Sequence, residues 1–126
     1  MNKSVYYLLI ILLIILSTSC DIYDYFITND RPVAYAGEDQ TVSVGEEVTL
    51  DGSGSYDPEG KNLGYKWFPF DGPEDIPENA EVYIKSYLSK IATFFSDYPG
   101  TFVLLLVVTD GNKDSKPDKI TITVSL

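Results

Sequence analysis

Oxygen-bearing side chains in two short stretches carry most of the chemistry open to this chain. Asp51, Asp57 and Glu59 lie in and beside Gly52-Ser-Gly-Ser-Tyr-Asp-Pro-Glu-Gly60, and Asp110, Asn112 and Asp114 lie in a second turn-rich stretch. Calcium takes about 6–8 hard oxygen ligands, so Asp51, Asp57, Glu59 and Asp110 are candidate calcium ligands. The competing reading is turn chemistry, because Asp before Gly or Pro commonly caps its own backbone. Used as a glycoside-hydrolysing pair, the same acids would need a carboxyl with a raised pKa in a cleft. Nothing in the pattern suggests a cleft. The chain has no histidine, so the usual general base near neutral pH and the commonest transition-metal ligand are both missing. No catalytic residue and no cofactor is expected beyond the calcium candidates.

The only cysteine, Cys20, sits just past an unbroken apolar run, Val5 to Leu16. Met1-Asn-Lys-Ser precedes the run and Ser17-Thr-Ser follows it. A short positive start, about 7–15 apolar residues and small residues at a cut site describe a secretory signal peptide. The run is too short for a bilayer span of about 20 residues. The stretch resembles a bacterial lipoprotein signal, in which the first mature cysteine takes a diacylglycerol and its amino group is then acylated. The usual box runs Leu, small residue, Gly/Ala/Ser, Cys. Here Ser17 stands where the leucine falls, with Leu16 one place further out. An ordinary signal peptide with an incidental cysteine and an uncleaved short anchor are the other readings. The resemblance implies lipidation at Cys20, and two or three acyl chains anchor a protein stably. No free thiol would then remain for a disulfide, a nucleophile or a metal. The expected location is the cell envelope, at the outer membrane or cell surface in preference to the inner membrane. Asp21 would favour the inner membrane only under some Gram-negative sorting systems.

The expected organisation is a signal peptide over 1–20, a tether over 21–30 and one domain over 31–126. Lys3 is the only charged side chain of the signal, so the mature part carries 8 basic and 19 acidic residues, a net charge of −11. That argues against nucleic acid and against anionic lipid as charge-bound partners. The tether DIYDYFITND reaches roughly 35 Å at most, which keeps the domain close to the membrane. Its Ile22, Tyr23, Tyr25 and Phe26 either lie on lipid headgroups or dock on the domain.

From Pro32 onward the pattern is short strands separated by turns. Val33 to Ala36 is a candidate edge strand. Thr41 to Val44 and Glu47 to Asp51 follow, the latter with Val48 and Leu50 inward. Leu63, Tyr65 and Trp67 share one face, with Lys66 and Phe68 on the other. Thr101 to Thr109 is long and apolar enough for a central strand covered on both sides. Ile120, Ile122 and Val124 alternate with Thr121, Thr123 and Ser125 in a half-buried last strand. Between these lies an ambiguous stretch. Ile84, Tyr87, Leu88 and Ile91 stand at helical spacing, while Val82 to Ile84 and Ile91 to Phe95 read as two short strands. The all-β flanks and the poor helix propensity of Ala92-Thr-Phe-Phe favour strands.

About seven short strands with a tryptophan on the third main one predict an all-β, immunoglobulin-like β-sandwich. The sequence resembles the PKD domains (polycystic kidney disease repeats), especially those of bacterial surface proteins. The resemblance rests on Arg31-Pro-Val-Ala-Tyr-Ala-Gly-Glu-Asp-Gln-Thr-Val, Val48-Thr-Leu-Asp-Gly-Ser-Gly-Ser-Tyr-Asp-Pro-Glu-Gly60, Tyr65-Lys-Trp67, Tyr98-Pro-Gly-Thr-Phe102 and Val107-Val-Thr-Asp-Gly111. It covers residues 31–126. The chain departs from the family in lacking Asp-Phe-Gly-Asp-Gly after the tryptophan. It also has Phe102 where the family usually has tyrosine, so that corner has no phenol hydroxyl to tie it. Some members bind calcium near the pole that the two acidic loops would share.

Trp67 on this strand is expected in the core rather than under a sugar. If Phe102, Leu104, Leu106 and Val108 point inward, Val103, Leu105 and Val107 point out and Phe68 joins them. That stripe is a candidate partner face, unless residues 71–91 fold over it. The reading of function is a lipid-anchored, non-catalytic envelope module making protein or carbohydrate contacts. The alternative is a structural subunit of an envelope assembly that uses the apolar sheet face. The partner itself is not legible.

Overall fold

The computed structural model describes residues 29–126. The expected signal peptide, Cys20, and Ile22, Tyr23, Tyr25 and Phe26 of the tether lie outside the described residues. Seven strands form two sheets: β1 (Gln40–Ser43), β2 (Glu47–Asp51), β3 (Gly64–Asp71), β4 (Val82–Lys85), β5 (Ile91–Ser96), β6 (Gly100–Thr109) and β7 (Asp118–Ser125). The order is β1-β7-β6-β3 in one sheet and β2-β5-β4 in the other. The expected all-β sandwich is present, and the helical reading of residues 84–91 gives way to strands β4 and β5.

Alternation builds the core. Phe102, Leu104, Leu106 and Val108 of β6 are buried, as are Ile120, Ile122 and Val124 of β7. Val48 and Leu50 of β2 and Ala92 and Phe94 of β5 meet them from the opposite sheet. Each strand spends one face on this shared interior, which is what a period of two requires. Trp67 sits at its centre with 1% of its surface exposed. Its indole N–H donates to the Ser89 carbonyl at 3.0 Å, satisfying the one polar atom it buries.

Val33 to Ala36 does not form the expected edge strand. Val33 makes a single antiparallel bridge with Tyr56. The chain then turns at Gly37 (φ 88°), a conformation that an L side chain resists. This turn carries it to β1, which pairs in parallel with β7. Asp118 and Asp39 hold the crossing, accepting from the backbone N–H groups of Ala36 at 2.7 Å and Thr121 at 2.8 Å.

Residues 72–90 carry β4 in the sheet opposite β6, and their connections meet β3 and the start of β6. Tyr87 lends its carbonyl to the Trp67 N–H at 2.7 Å, along the free edge of β3. The N–H groups on that edge come from alternate residues, and Pro69, next in the series, has none. Proline and the irregular register between Pro69 and Asp71 blunt this edge against further strand pairing. At the far end, Pro73 packs on Gly100, where an added Cβ would stand 2.3 Å from Pro73 Cγ and φ is 147°.

Candidate functional site

The two acidic loops do share a pole, and the structure shows what they do there. Asp51 Oδ1 accepts from the Ser53 N–H at 2.9 Å, and the Ser53 hydroxyl first, then this N–H, hold its carboxyl below the usual range. Asp57 is 8% exposed. Its Oδ1 accepts from the backbone of Glu59 at 2.9 Å and Lys61 at 3.1 Å, while Oδ2 has no hydrogen-bond partner among the described residues. Glu59 Oε1 accepts from the Asp30 N–H at 2.6 Å. Asp110 Oδ1 accepts from Asn112 and Lys113, each at 2.7 Å. Among the described residues no three acidic side chains gather into a set able to hold a metal ion. Each of the four candidate calcium ligands, Asp51, Asp57, Glu59 and Asp110, accepts from backbone donors, most of them within its own turn. The positive charge at this pole comes from the protein. Lys61 Nζ stands 3.7 Å from Asp110 Oδ2.

Asn29 completes this arrangement, and nothing in the sequence pattern singled it out. Its amide donates to Asp110 Oδ2 at 2.6 Å. Its Oδ1 accepts from Lys61 and its carbonyl from Lys113. The start of the domain is thereby clasped to a turn 81 residues away. The Asp110 carboxyl is held down to about 2, chiefly by the Lys113 and Asn112 N–H groups with help from Asn29 and Lys61, against the opposing effect of desolvation. An unfolded Asp titrates near ~3.9. The bonds to the ionised Asp110, most of them within its own turn, therefore contribute their full stability above about pH 4 and lose it as pH falls through about 2. Asp110→Asn is expected to lower the urea midpoint at neutral pH and to flatten its fall on acidification across that window. A pH dependence identical to the parent protein's would show that the ionised carboxylate contributes nothing to stability there.

The corner before β6 is tied without a tyrosine. Phe102 is buried and packs at a tilt on Phe94, ring centroids 5.2 Å apart. Ser96, fully buried, accepts from the Tyr98 N–H at 3.0 Å and donates to the Tyr98 carbonyl at 2.7 Å. Its hydroxyl secures this turn locally.

The four stripe residues, Phe68, Val103, Leu105 and Val107, face outward as expected and are half-buried. Phe68 stands opposite Leu105 across the ladder, Lys66 opposite Val107, and Lys119 opposite Leu105 on the other side. The stripe is thus flanked by cations on both sides.

A larger apolar feature lies at the open side of the sandwich. A groove of about 380 Å³ runs between β3 and β4. Lys66, Phe68, Pro69 and Asp71 of β3 line it on one side and Val82 and Ile84 of β4 on the other, with Tyr87 and the buried Phe94 also lining it. The sequence reading missed it because the groove depends on how far apart two edge strands of different sheets stand.

A family model described as "K319L-like, PKD domain" matches residues 36–124. Among solved structures, the PKD domain from the KIAA 1837 protein is 27% identical with a TM-score of 0.60, and the match covers 78% of this chain and 90% of that one. The PKD domain of human KIAA0319 is 18% identical with a TM-score of 0.58, covering 78% and 84%. A nucleoside hydrolase-related protein from Saccharophagus degradans, associated with carbohydrate metabolism, is 24% identical with a TM-score of 0.61. That match covers 78% of this chain but 26% of the other, so the chain spans about a quarter of that protein's length. At these identities the last two are likenesses of fold. No curated protein matches the chain.

Proposed function

The chain belongs to the K319L-like PKD domain family, and from that premise we propose that it is a lipid-anchored envelope module that makes protein or polysaccharide contacts without catalysis. PKD domains are generally non-catalytic extracellular modules. The observation that carries the finer reading is the position of Cys20 at the end of a short apolar run, directly ahead of such a domain.

The clasp gives this reading an orientation. Eight residues separate Cys20 from Asn29, a reach of roughly 30 Å when extended. Asn29 is bound at the pole of Asp110 and Lys61. A lipid on Cys20 would hold that pole toward the bilayer and turn the opposite pole away from it. The loops that carry the acids would then face headgroups, and contacts with partners would fall to the sheets and the open side.

The test is protease shaving of intact cells beside a Cys20→Ala strain, with mass spectrometry of the mature N-terminus. The expected result is an acylated Cys20, cleavage of the domain from intact cells, and shedding of the variant into the medium. Protection until the envelope is opened would place the domain inside and remove the surface-contact reading. An unmodified cysteine would remove the anchor.

A further inference from the structure

We propose that the groove between β3 and β4 receives an apolar segment of a partner protein that carries lysine or arginine on its flanks. This deepens the protein-contact reading above but does not depend on the lipid anchor.

The groove is of a size and character that takes side chains. Its volume of about 380 Å³ falls in the range of roughly 300–1,000 Å³ typical of binding pockets. Its walls and floor are dominated by aliphatic and aromatic groups. Further apolar surface is exposed on residues adjoining its walls. Phe70, next to Pro69, is 68% exposed, and Leu88, next to Tyr87, is 62% exposed. Apolar surface that is both concave and continued onto exposed flanks is characteristic of a contact site rather than of a core.

Charge selects the occupant. Lys66 and Asp71 are the two charged residues lining the groove, and the connection from Asp71 to Val82 on the opposite side carries Glu74, Asp75, Glu78 and Glu81, all exposed, so acids outnumber the one lining lysine. No basic residue occurs between Lys66 and Lys85. A fatty acid or anionic lipid would bring its own negative charge to this acidic border. A cationic flank is complementary to it, and such pairing sets partner choice and association rate. Strand addition is obstructed on the β3 side, where Tyr87 already takes the Trp67 N–H and Pro69 offers none. On the β3 side the occupant therefore engages through side chains.

The chain's single tryptophan reports on the site, because Trp67 lines the groove. The full chain, reconstituted in phosphatidylcholine vesicles, is titrated with the peptide Lys-Lys-Leu-Phe-Leu-Lys-Lys and with its Glu-for-Lys counterpart. The expected result is a saturable change in Trp67 emission with the lysine peptide and binding weaker by about ten-fold or more with the glutamate peptide. A triple variant at exposed positions, Glu74→Gln, Glu78→Gln and Glu81→Gln, leaves the core untouched and is expected to weaken the lysine peptide by several-fold. Tyr87→Ala is expected to weaken both peptides.

Equal binding of the two peptides, no emission change, or an unaltered affinity in the triple variant would each overturn the proposal. Loss of binding on Leu105→Lys, with Tyr87→Ala unaffected, would move the contact to the outward face of β6. None of these outcomes depends on whether Cys20 is acylated in the cell.

Discussion

Replacing Trp67 with alanine is expected to destabilise the domain by about 3–5 kcal/mol, the usual cost of deleting a buried aromatic side chain. A single domain of this size has about 5–15 kcal/mol in total, so the variant should unfold at far lower urea. The reason is positional. Trp67 is 1% exposed and belongs to the buried cluster that both sheets share. Its N–H also pins the Ser86–Ser89 turn through the Ser89 carbonyl. The cavity left behind would open into the adjacent groove, so the walls have little to collapse against. Trp67→Phe separates the two contributions, since it keeps a ring but loses the donor. Its expected cost is smaller, about 1–2 kcal/mol. Far-UV circular dichroism during urea unfolding gives both values without relying on the missing indole. A loss below about 1 kcal/mol for the alanine variant would mean that the ring is not the centre of the core.

Ser96→Ala carries the second large effect, about 1–3 kcal/mol from one hydroxyl. The hydroxyl is buried and serves the N–H and the carbonyl of Tyr98 together. Removing it takes the partner from both backbone groups beside a fully buried position, and an unmade buried hydrogen bond costs more than a made one contributes. Family resemblance placed the corner's tie on a tyrosine hydroxyl, which Phe102 lacks. The structure gives that task to a serine on the preceding strand. Hydrogen exchange at the Tyr98 amide provides the local readout, with Trp67 fluorescence for global stability. Protection at Tyr98 is expected to fall in the variant by more than at core amides of β6. Unchanged protection at that amide would show that the turn is held by its backbone alone.

Much of the architecture was legible before any coordinates. Strands β2, β6 and β7 show period-two alternation, and their inward residues are the buried ones. Turn residues marked the ends of these strands, and Trp67 fell where a sandwich keeps its central aromatic. Alternation is legible because burial on one face acts on every second residue, leaving its record in local sequence.

Two stretches show where local pattern stops. Val33 to Ala36 has strand composition but makes one bridge, because Gly37 redirects the chain to β7 before a ladder can form. Residues 82–91 fit helix and strand spacing alike, and the choice was made by β5, which pairs with β4 on one side and β2 on the other. Neither outcome depends on residues inside the stretch alone.

The sequence by itself determined the class of fold, the inward set of each long strand, the central tryptophan and the absence of histidine. These follow from composition and from periodicities a few residues long. Only the tertiary structure decided that the acids close turns around lysines instead of forming one cluster, and that Asn29 clasps Asp110 across 81 residues. It alone decided that a groove opens between β3 and β4. Each of these depends on distances between segments far apart in the chain, set by how two sheets twist and pack, and no local periodicity encodes such distances.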